Sequence, residues 1–372
     1  MPAIERNVLV LQGGGALGAY QAGAFQRLAD GGFDVAWVAG ISIGAINAAI
    51  ICGNPVKARI ERLGAFWEEV TSDLAQAPWI WGPRPRRVYS ELAAAEVAMA
   101  GAPGFFRPRS PLELWPSPLN RTLSIYDTSP LEHTLGELVD FDYLNEKGPR
   151  LSVGATDIET GNFIYFDSST TRLDVRHIMA SGALPPGFPP VEIDGQHYWD
   201  GGLVSNTPLQ YVMENAGAEP LCIFQIDLFS ARGNMPETLA DVQQREKDIR
   251  YSSRTRLTTD RYRHLHAIRA AAERLAARLP QDLQGDPDLA MLRAAGPDCP
   301  VTLVHLIHRK EGFEGNSKDY EFSRLSMGEH WAAGQADVGR TLAHKAWKSR
   351  QIGKDGLQVF DLGARRTSRK EK

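Results

Sequence analysis

The chain has only three cysteines among its 372 residues, Cys52, Cys222 and Cys299, with no C-x-x-C spacing. An odd, scattered set argues against a disulfide framework and against a structural zinc site, and such cysteines read as small core hydrophobes. Long apolar runs are missing as well. The stretch Val8–Leu11 is far shorter than the hydrophobic region of a secretory leader, and nothing approaches the roughly 20 apolar residues of a membrane span. A cytoplasmic chain is expected, with attachment to a membrane surface left open. Charge excess is equally scarce: 41 Lys and Arg against 45 Asp and Glu leave a formal net of −4. That balance gives no global attraction to nucleic acid. No internal repeat is present.

What the chain does have is 43% apolar and 23% charged residues over a length that can bury a large core. Its first fifty residues are the most regular. Val8–Gln12 has strand length and precedes a glycine loop and a helix-like stretch from Gly18 to Ala29. Val35–Ala39 is a second apolar run, followed by a turn at Gly40–Gly44 and an Ala-rich helix to Cys52. Strand–loop–helix twice over, with strands that do not alternate, predicts a parallel sheet covered on both faces. Residues 55–72 keep helical spacing. Pro78–Pro118, rich in Pro, Gly, Trp and Arg, reads as an irregular lobe or lid in which Trp79, Trp81, Phe105, Phe106 and Trp115 either bind an acyl chain or simply pack. Leu151–Ala155, Phe163–Phe166, Leu221–Leu228 and Val301–Ile307 are further strand candidates, and Ser323–Trp347 is a closing helix.

Three motifs carry chemistry. Gly40-Ile41-Ser42-Ile43-Gly44 is a G-x-S-x-G placed between a strand and a helix, the setting of a nucleophile elbow. A serine there needs small flanking residues, and the new helix offers free amides to an oxyanion. The plainer reading makes Ser42 an N-cap. Gly13-Gly14-Gly15-Ala16-Leu17-Gly18 follows the first strand and also fits G-x-G-x-x-G. A dinucleotide site would require an acidic residue at the end of the second strand, which instead ends in Gly40-Ile41-Ser42. The other use is a nest whose Gly13, Gly14 and Gly15 amides point at one oxygen. Parallel neighbouring strands would bring this loop and Ser42 to the same rim.

A serine nucleophile needs a base. None of the nine histidines sits in a setting that marks it as a triad member, His197 being the nearest contender. Asp200-Gly201-Gly202 is the sharper candidate. It follows a hairpin, Val191–Trp199, with a D-G turn, so the aspartate emerges at a strand end. An ordinary turn is the alternative.

Together the three motifs resemble the patatin-like phospholipase family, which carries a glycine-rich loop, a G-x-S-x-G elbow and a D-G-G/A aspartate in that order. Here they stand as Gly13–Gly18, Gly40–Gly44 and Asp200–Gly202, and Ala180–Pro190 looks like the family's A-S-x-A-x-P stretch. The likeness covers residues 7–230. It implies an α/β/α sandwich around a mainly parallel sheet, and a Ser42–Asp200 dyad without histidine. Oxyanion donors at Gly13–Gly15 and hydrolysis of lipid acyl esters, with neither metal nor organic cofactor, are implied as well. Many members have Arg or Lys where this chain has Leu17. A dinucleotide-binding oxidoreductase and a catalytically silent lipid-binding protein are the competing readings.

Residues 231–350 read as an extension and 351–372 as a disordered basic tail. From Arg245 to Arg278 ten basic residues stand against four acidic ones. With Leu265, Ile268, Ala272, Leu275 and Leu279 at helical spacing, this is a basic amphipathic helix. Its arginines (Arg250, Arg254, Arg256, Arg261, Arg263, Arg269, Arg274) either meet an anionic membrane surface or face solvent while the apolar stripe packs.

Overall fold

The computed structural model of the chain describes residues 5–71, 83–115, 122–252, 255–294, 299–309, 314–352 and 356–362. Its strands in chain order are β1 (Arg6–Leu11), β2 (Val35–Gly40), β3 (Arg107–Pro108), β4 (Tyr126–Asp127), β5 (Arg150–Asp157) and β6 (Phe163–Asp167). They continue with β7 (Val191–Ile193), β8 (Gln196–Asp200), β9 (Leu221–Asp227), β10 (Val301–Ile307) and β11 (Leu357–Phe360). β3 and β4 pair with each other; the rest form a nine-stranded sheet ordered β11-β10-β9-β1-β2-β5-β8-β7, with β6 on β5. Pairing is parallel from β11 through β5 and antiparallel beyond it.

The unbroken apolar strands are explained by two cores. Leu9 and Leu11 of β1 face one core, with α1 (Gly18–Asp30) and α2 (Ile43–Cys52), while Val8 and Val10 face the other, with Leu209, Val212 and Tyr262. Alternate side chains of one strand therefore enter opposite layers, and a strand with no exposed face needs no polar alternation. This is the expected α/β/α sandwich.

The chain after residue 230 is part of the same body. β10 and β11 extend the sheet, and the helix Arg324–Ala343 lies on α1 so closely that a Cβ on Gly23 would come within 2.0 Å of the Trp331 carbonyl oxygen. Two segments differ from the sequence reading. Pro83–Ala100, expected within an irregular lobe, is a helix. Leu357–Phe360, expected within a disordered tail, is the edge strand β11, because it finds the open side of β10. The basic stretch is divided into two helices, Leu239–Tyr251 and Thr255–Ala276. On the second, Tyr262, Ala272 and Ala276 are buried while Arg261, Arg263 and Arg274 are exposed. Phe105 and Phe106 are buried against Phe188 and Phe322, whereas Trp115 is 71% exposed. Trp79, Trp81, Arg254 and the tail from residue 363 lie outside the described residues, as does the Arg256 side chain.

Candidate active site

The register of β1 against β2 builds the site. Leu11 pairs with Gly40, so the two strands end side by side, and the Ile41 amide donates to the Leu11 carbonyl at 3.1 Å. The glycine loop and the G-x-S-x-G turn leave the same rim, as parallel neighbours must. On the far side, β5 pairs with β2 over residues 150–153 and with β8 over residues 155–157. Residues 152–156 are also paired with β6, so β2 and β8 share the other edge of β5. β8 thus enters antiparallel just beyond the end of β2, and Asp200, opposite Ala155, arrives beside Ser42.

Ser42 has φ 55° and ψ −123°, a conformation that costs an L-residue about 1–3 kcal/mol. Close packing sustains it: a Cβ on Gly40 would lie 2.3 Å from the Gly44 carbonyl oxygen, and one on Gly44 would lie 2.4 Å from that of Leu11. The N-cap reading fails, because the Ser42 side chain makes no capping hydrogen bond to α2. Its hydroxyl acts instead on the Asp200 carboxylate, pulling that group's pKa down.

That carboxylate is 2% exposed. Burial pushes its pKa up from 3.8 to about 6, against the opposing pull of hydrogen bonds from the Ser42 hydroxyl and the Gly202 amide. The Gly202 amide donates to Oδ1 at 2.6 Å. A Cβ on Gly201 would press to 2.6 Å from the Gly154 carbonyl oxygen. His197, the other contender for the base, faces Glu192 across the β7–β8 hairpin at 4.0 Å and is half-exposed. Among the described residues the carboxylate's hydrogen-bond donor is a backbone amide, and no imidazole bonds it.

The glycine loop divides. The Gly13 amide, expected to face an oxyanion, donates to the Asn206 carbonyl at 3.2 Å and is buried. The amides of Gly14 and Gly15, partly exposed, make no hydrogen bond to a described residue. Gly15 has φ 55°, and a Cβ there would stand 1.9 Å from the Asp319 carbonyl oxygen. Backbone from the extension therefore occupies the approach that a pyrophosphate would use, which removes the dinucleotide reading. Gly18 sits against Ile43 and Trp67. Leu17 is fully buried in the core.

Several residues that position the site had no signal of their own. Ser181 lies inside the A-S-x-A-x-P stretch, but its role emerges only in three dimensions. Its hydroxyl accepts from the Ser42 amide at 3.1 Å and donates to the Gly154 carbonyl at 2.6 Å. Replacing Ser181 by alanine leaves a buried amide unpaired, which costs about 1–3 kcal/mol. The Ser181→Ala variant is expected to lose that much stability in urea unfolding and to lose ester turnover through a displaced elbow. Unchanged turnover would show that the elbow holds without it.

Gln12 and Asn206 tie the rim to the extension. Gln12 donates to Thr207 and to the Tyr251 carbonyl at 2.9 and 3.0 Å, and accepts from the Leu228 and Phe229 amides. Asn206 donates to the carbonyls of Gly13 and Tyr251 at 3.0 and 2.9 Å. The Ala16 amide donates to Asp319 at 2.8 Å, and Lys247 holds the Asp319 carboxylate. No helix of the described residues is long and apolar enough to cross a membrane.

Comparison with known proteins follows the same outline. A family model described as Patatin-like phospholipase matches residues 9–213, and one described as Patatin phospholipase matches residues 249–353. No curated protein matches. Among solved structures, VipD from Legionella pneumophila is 16% identical with a TM-score of 0.36, over 88% of this chain and 67% of that one. ExoU from Pseudomonas aeruginosa, in its complex with SpcU, is 15% identical with a TM-score of 0.31, over 67% of this chain and 50% of that one. With the first model spanning more than half of its length, the chain belongs to the patatin-like phospholipase family.

Proposed function

We propose that this protein is a serine hydrolase of lipid acyl esters that works through Ser42 and Asp200 and an acyl-enzyme on Ser42. The observation that carries the reading is Ser42, strained onto the rim beside a buried carboxylate whose pKa its hydroxyl lowers. The Ser42 oxygen attacks the ester carbonyl carbon while its proton passes to Asp200. Negative charge gathers on the former carbonyl oxygen. The donors assigned to it are the Gly14 and Gly15 amides and the first amide of α2, an orphan by position. Collapse of this intermediate returns the proton to the departing alcohol. Water then attacks the acyl-serine as Asp200 takes its proton; the bond to the Ser42 oxygen breaks, the fatty acid leaves, and Asp200 returns the proton to Ser42. A base of pKa about 6 is ionised at neutral pH yet basic enough to share a proton in the transition state. The donor set differs from the expected one by the loss of Gly13.

A lipid substrate also suits the surface near the rim. Leu184, Leu203 and Val204, close in sequence to the dyad, remain exposed. The helix Leu239–Tyr251, whose last carbonyl receives Gln12 and Asn206, carries a groove lined by Pro236, Val242, Arg245, Ile249 and the ion pair of Arg250 with Glu246. Apolar side chains interleaved with arginines suit peripheral contact with an anionic lipid surface.

The test is hydrolysis of short- and long-chain p-nitrophenyl esters by wild type, Ser42→Ala and His197→Ala, with fluorophosphonate labelling in parallel. Ser42→Ala is expected to lose turnover by about a thousandfold or more and to escape labelling, while His197→Ala stays within about twofold of wild type. Equal damage from His197→Ala would replace the dyad by a triad. No turnover by wild type on any ester would favour a silent lipid-binding protein.

A further inference from the structure

We propose that His308, Glu314 and His330 together bind one divalent cation of the zinc class, which ties the extension to the glycine loop behind the active site. The three residues come from separate places: His308 follows β10, Glu314 lies in the next connection, and His330 is inside the helix Arg324–Ala343. All are buried, at 2%, 4% and 3% exposure. Each offers a ligand atom within 4.8 Å of the other two. Both imidazoles turn Nε2 to the same Glu314 oxygen, Oε1, at 2.9 and 3.2 Å. A tetrahedral cation with bonds of about 2.1 Å holds its donors about 3.4 Å apart, so a small expansion of this trio admits one.

Two further features point to an ion rather than to a closed hydrogen-bond network. Glu314 Oε2 is buried and has no hydrogen-bond partner. A buried carboxylate with one oxygen unsatisfied is costly unless a positive charge stands close by. The ammonium of Lys318, which lines a void beside Glu314, is paired with Asp248 at 2.8 Å. That void, of about 10 Å3, lies beside Glu314 and His330, though not reached by His308, and is lined also by Ser317, Lys318 and Glu321. That is room for about one water, the fourth ligand that a set of two histidines and one carboxylate leaves open. Nitrogen and carboxylate donors without thiolate select zinc and its neighbours over calcium or magnesium. The scarcity of cysteine therefore does not bear on this site.

Its position gives the ion a task. His308 is also fixed by its amide, which donates to the Asp227 carbonyl at 2.8 Å, and its ring meets the edge of Tyr20 on α1. Five residues after Glu314 comes Asp319, whose carbonyl receives the Ala16 amide at the glycine loop. An ion at Glu314 pins the segment that delivers this carbonyl. No step of ester hydrolysis passes through it.

The test uses the full-length chain, stripped with chelator and reloaded with Zn2+, followed by elemental analysis and thermal melting of wild type, Glu314→Gln and His330→Ala. Wild type is expected to retain about one zinc per chain after desalting and to melt about 5 °C or more higher with zinc than in chelator. Glu314→Gln, nearly isosteric, is expected to melt with chelated wild type and to show no response to zinc. Cobalt-loaded wild type should show the ligand-field absorption of a four-coordinate site, absent from both variants. Wild type that retains no zinc, or Glu314→Gln that retains as much as wild type, overturns the proposal and leaves a hydrogen-bonded His–Glu–His trio. Because metal content is the readout, the result does not depend on ester turnover.

Discussion

Replacing Asp200 by asparagine is expected to abolish ester turnover and, at alkaline pH, to stabilise the fold. Both effects follow from one carboxyl group buried at the rim, with its pKa pushed from 3.8 to about 6. Between those two values the folded state still holds a proton that the unfolded chain has released. Stability therefore falls as pH rises through that window, and above it the folded state carries a penalty of about 3 kcal/mol. Asparagine keeps the shape and an acceptor for the Gly202 amide without the buried charge. Asp200→Asn should thus exceed wild type by about that amount at pH 8, with the difference fading below about pH 4. Urea unfolding at the two pH values checks this. Catalysis runs the other way, because only the ionised group accepts a proton. In wild type, kcat/KM should rise with pH through about 6, while Asp200→Asn should lie about a thousandfold lower above that pH and show no such rise. An asparagine variant less stable than wild type at pH 8 would mean that the hydrogen bonds to this carboxylate outweigh its burial. An asparagine variant that retains turnover would remove it as the base.

Introducing a methyl group at Gly15 is the second large perturbation, and it acts through the extension. The position has φ 55°, and the new Cβ would stand 1.9 Å from the Asp319 carbonyl oxygen. Either the loop or the Asp319 segment must move, and the hydrogen bond from the Ala16 amide is lost with it. Backbone strain and the lost bond together cost about 3 kcal/mol or more. The Gly14 and Gly15 amides lose their aim, so turnover should fall about a hundredfold even in the folded fraction. Two controls separate the causes. Gly32 has φ 79° but nothing within 4 Å of a built Cβ, so Gly32→Ala should show strain without loss of activity. Asp319→Ala leaves the carbonyl in place and removes only the pairing with Lys247, a much smaller effect. If Gly15→Ala retained full turnover, the loop amides would have no part in the reaction.

Much of this site was legible because its chemistry is written locally. The strand–turn–helix around Ser42, the glycine run after β1 and the D-G turn before Asp200 each announce a backbone requirement that few residues meet, and they stand in a recognisable order. What was misjudged depends on distant chain. Pro83–Ala100 opens with Pro83 and Pro85, and the count of Pro, Gly and Trp across its surroundings concealed a helix whose Ala93, Ala94 and Val97 are buried. Leu357–Phe360 is a strand only because β10 leaves an edge open to it. Gly13 was counted as an oxyanion donor because nothing near it in sequence hints that Asn206 takes its amide.

Taken by itself, the sequence determined the layered sheet, the glycine-flanked turn at Ser42 and the hairpin that ends at Asp200, since apolar runs, glycine positions and turn residues act over a few residues at a time. Only the tertiary structure decided which amides remain free, how high the buried carboxyl titrates, and that residues beyond 230 close the back of the glycine loop. The Asp319 carbonyl, the Tyr251 carbonyl and the Ser181 hydroxyl are ordinary groups in sequence. They acquire a role because folding brings them within hydrogen-bonding distance of the rim, and burial then makes each such contact costly to lose.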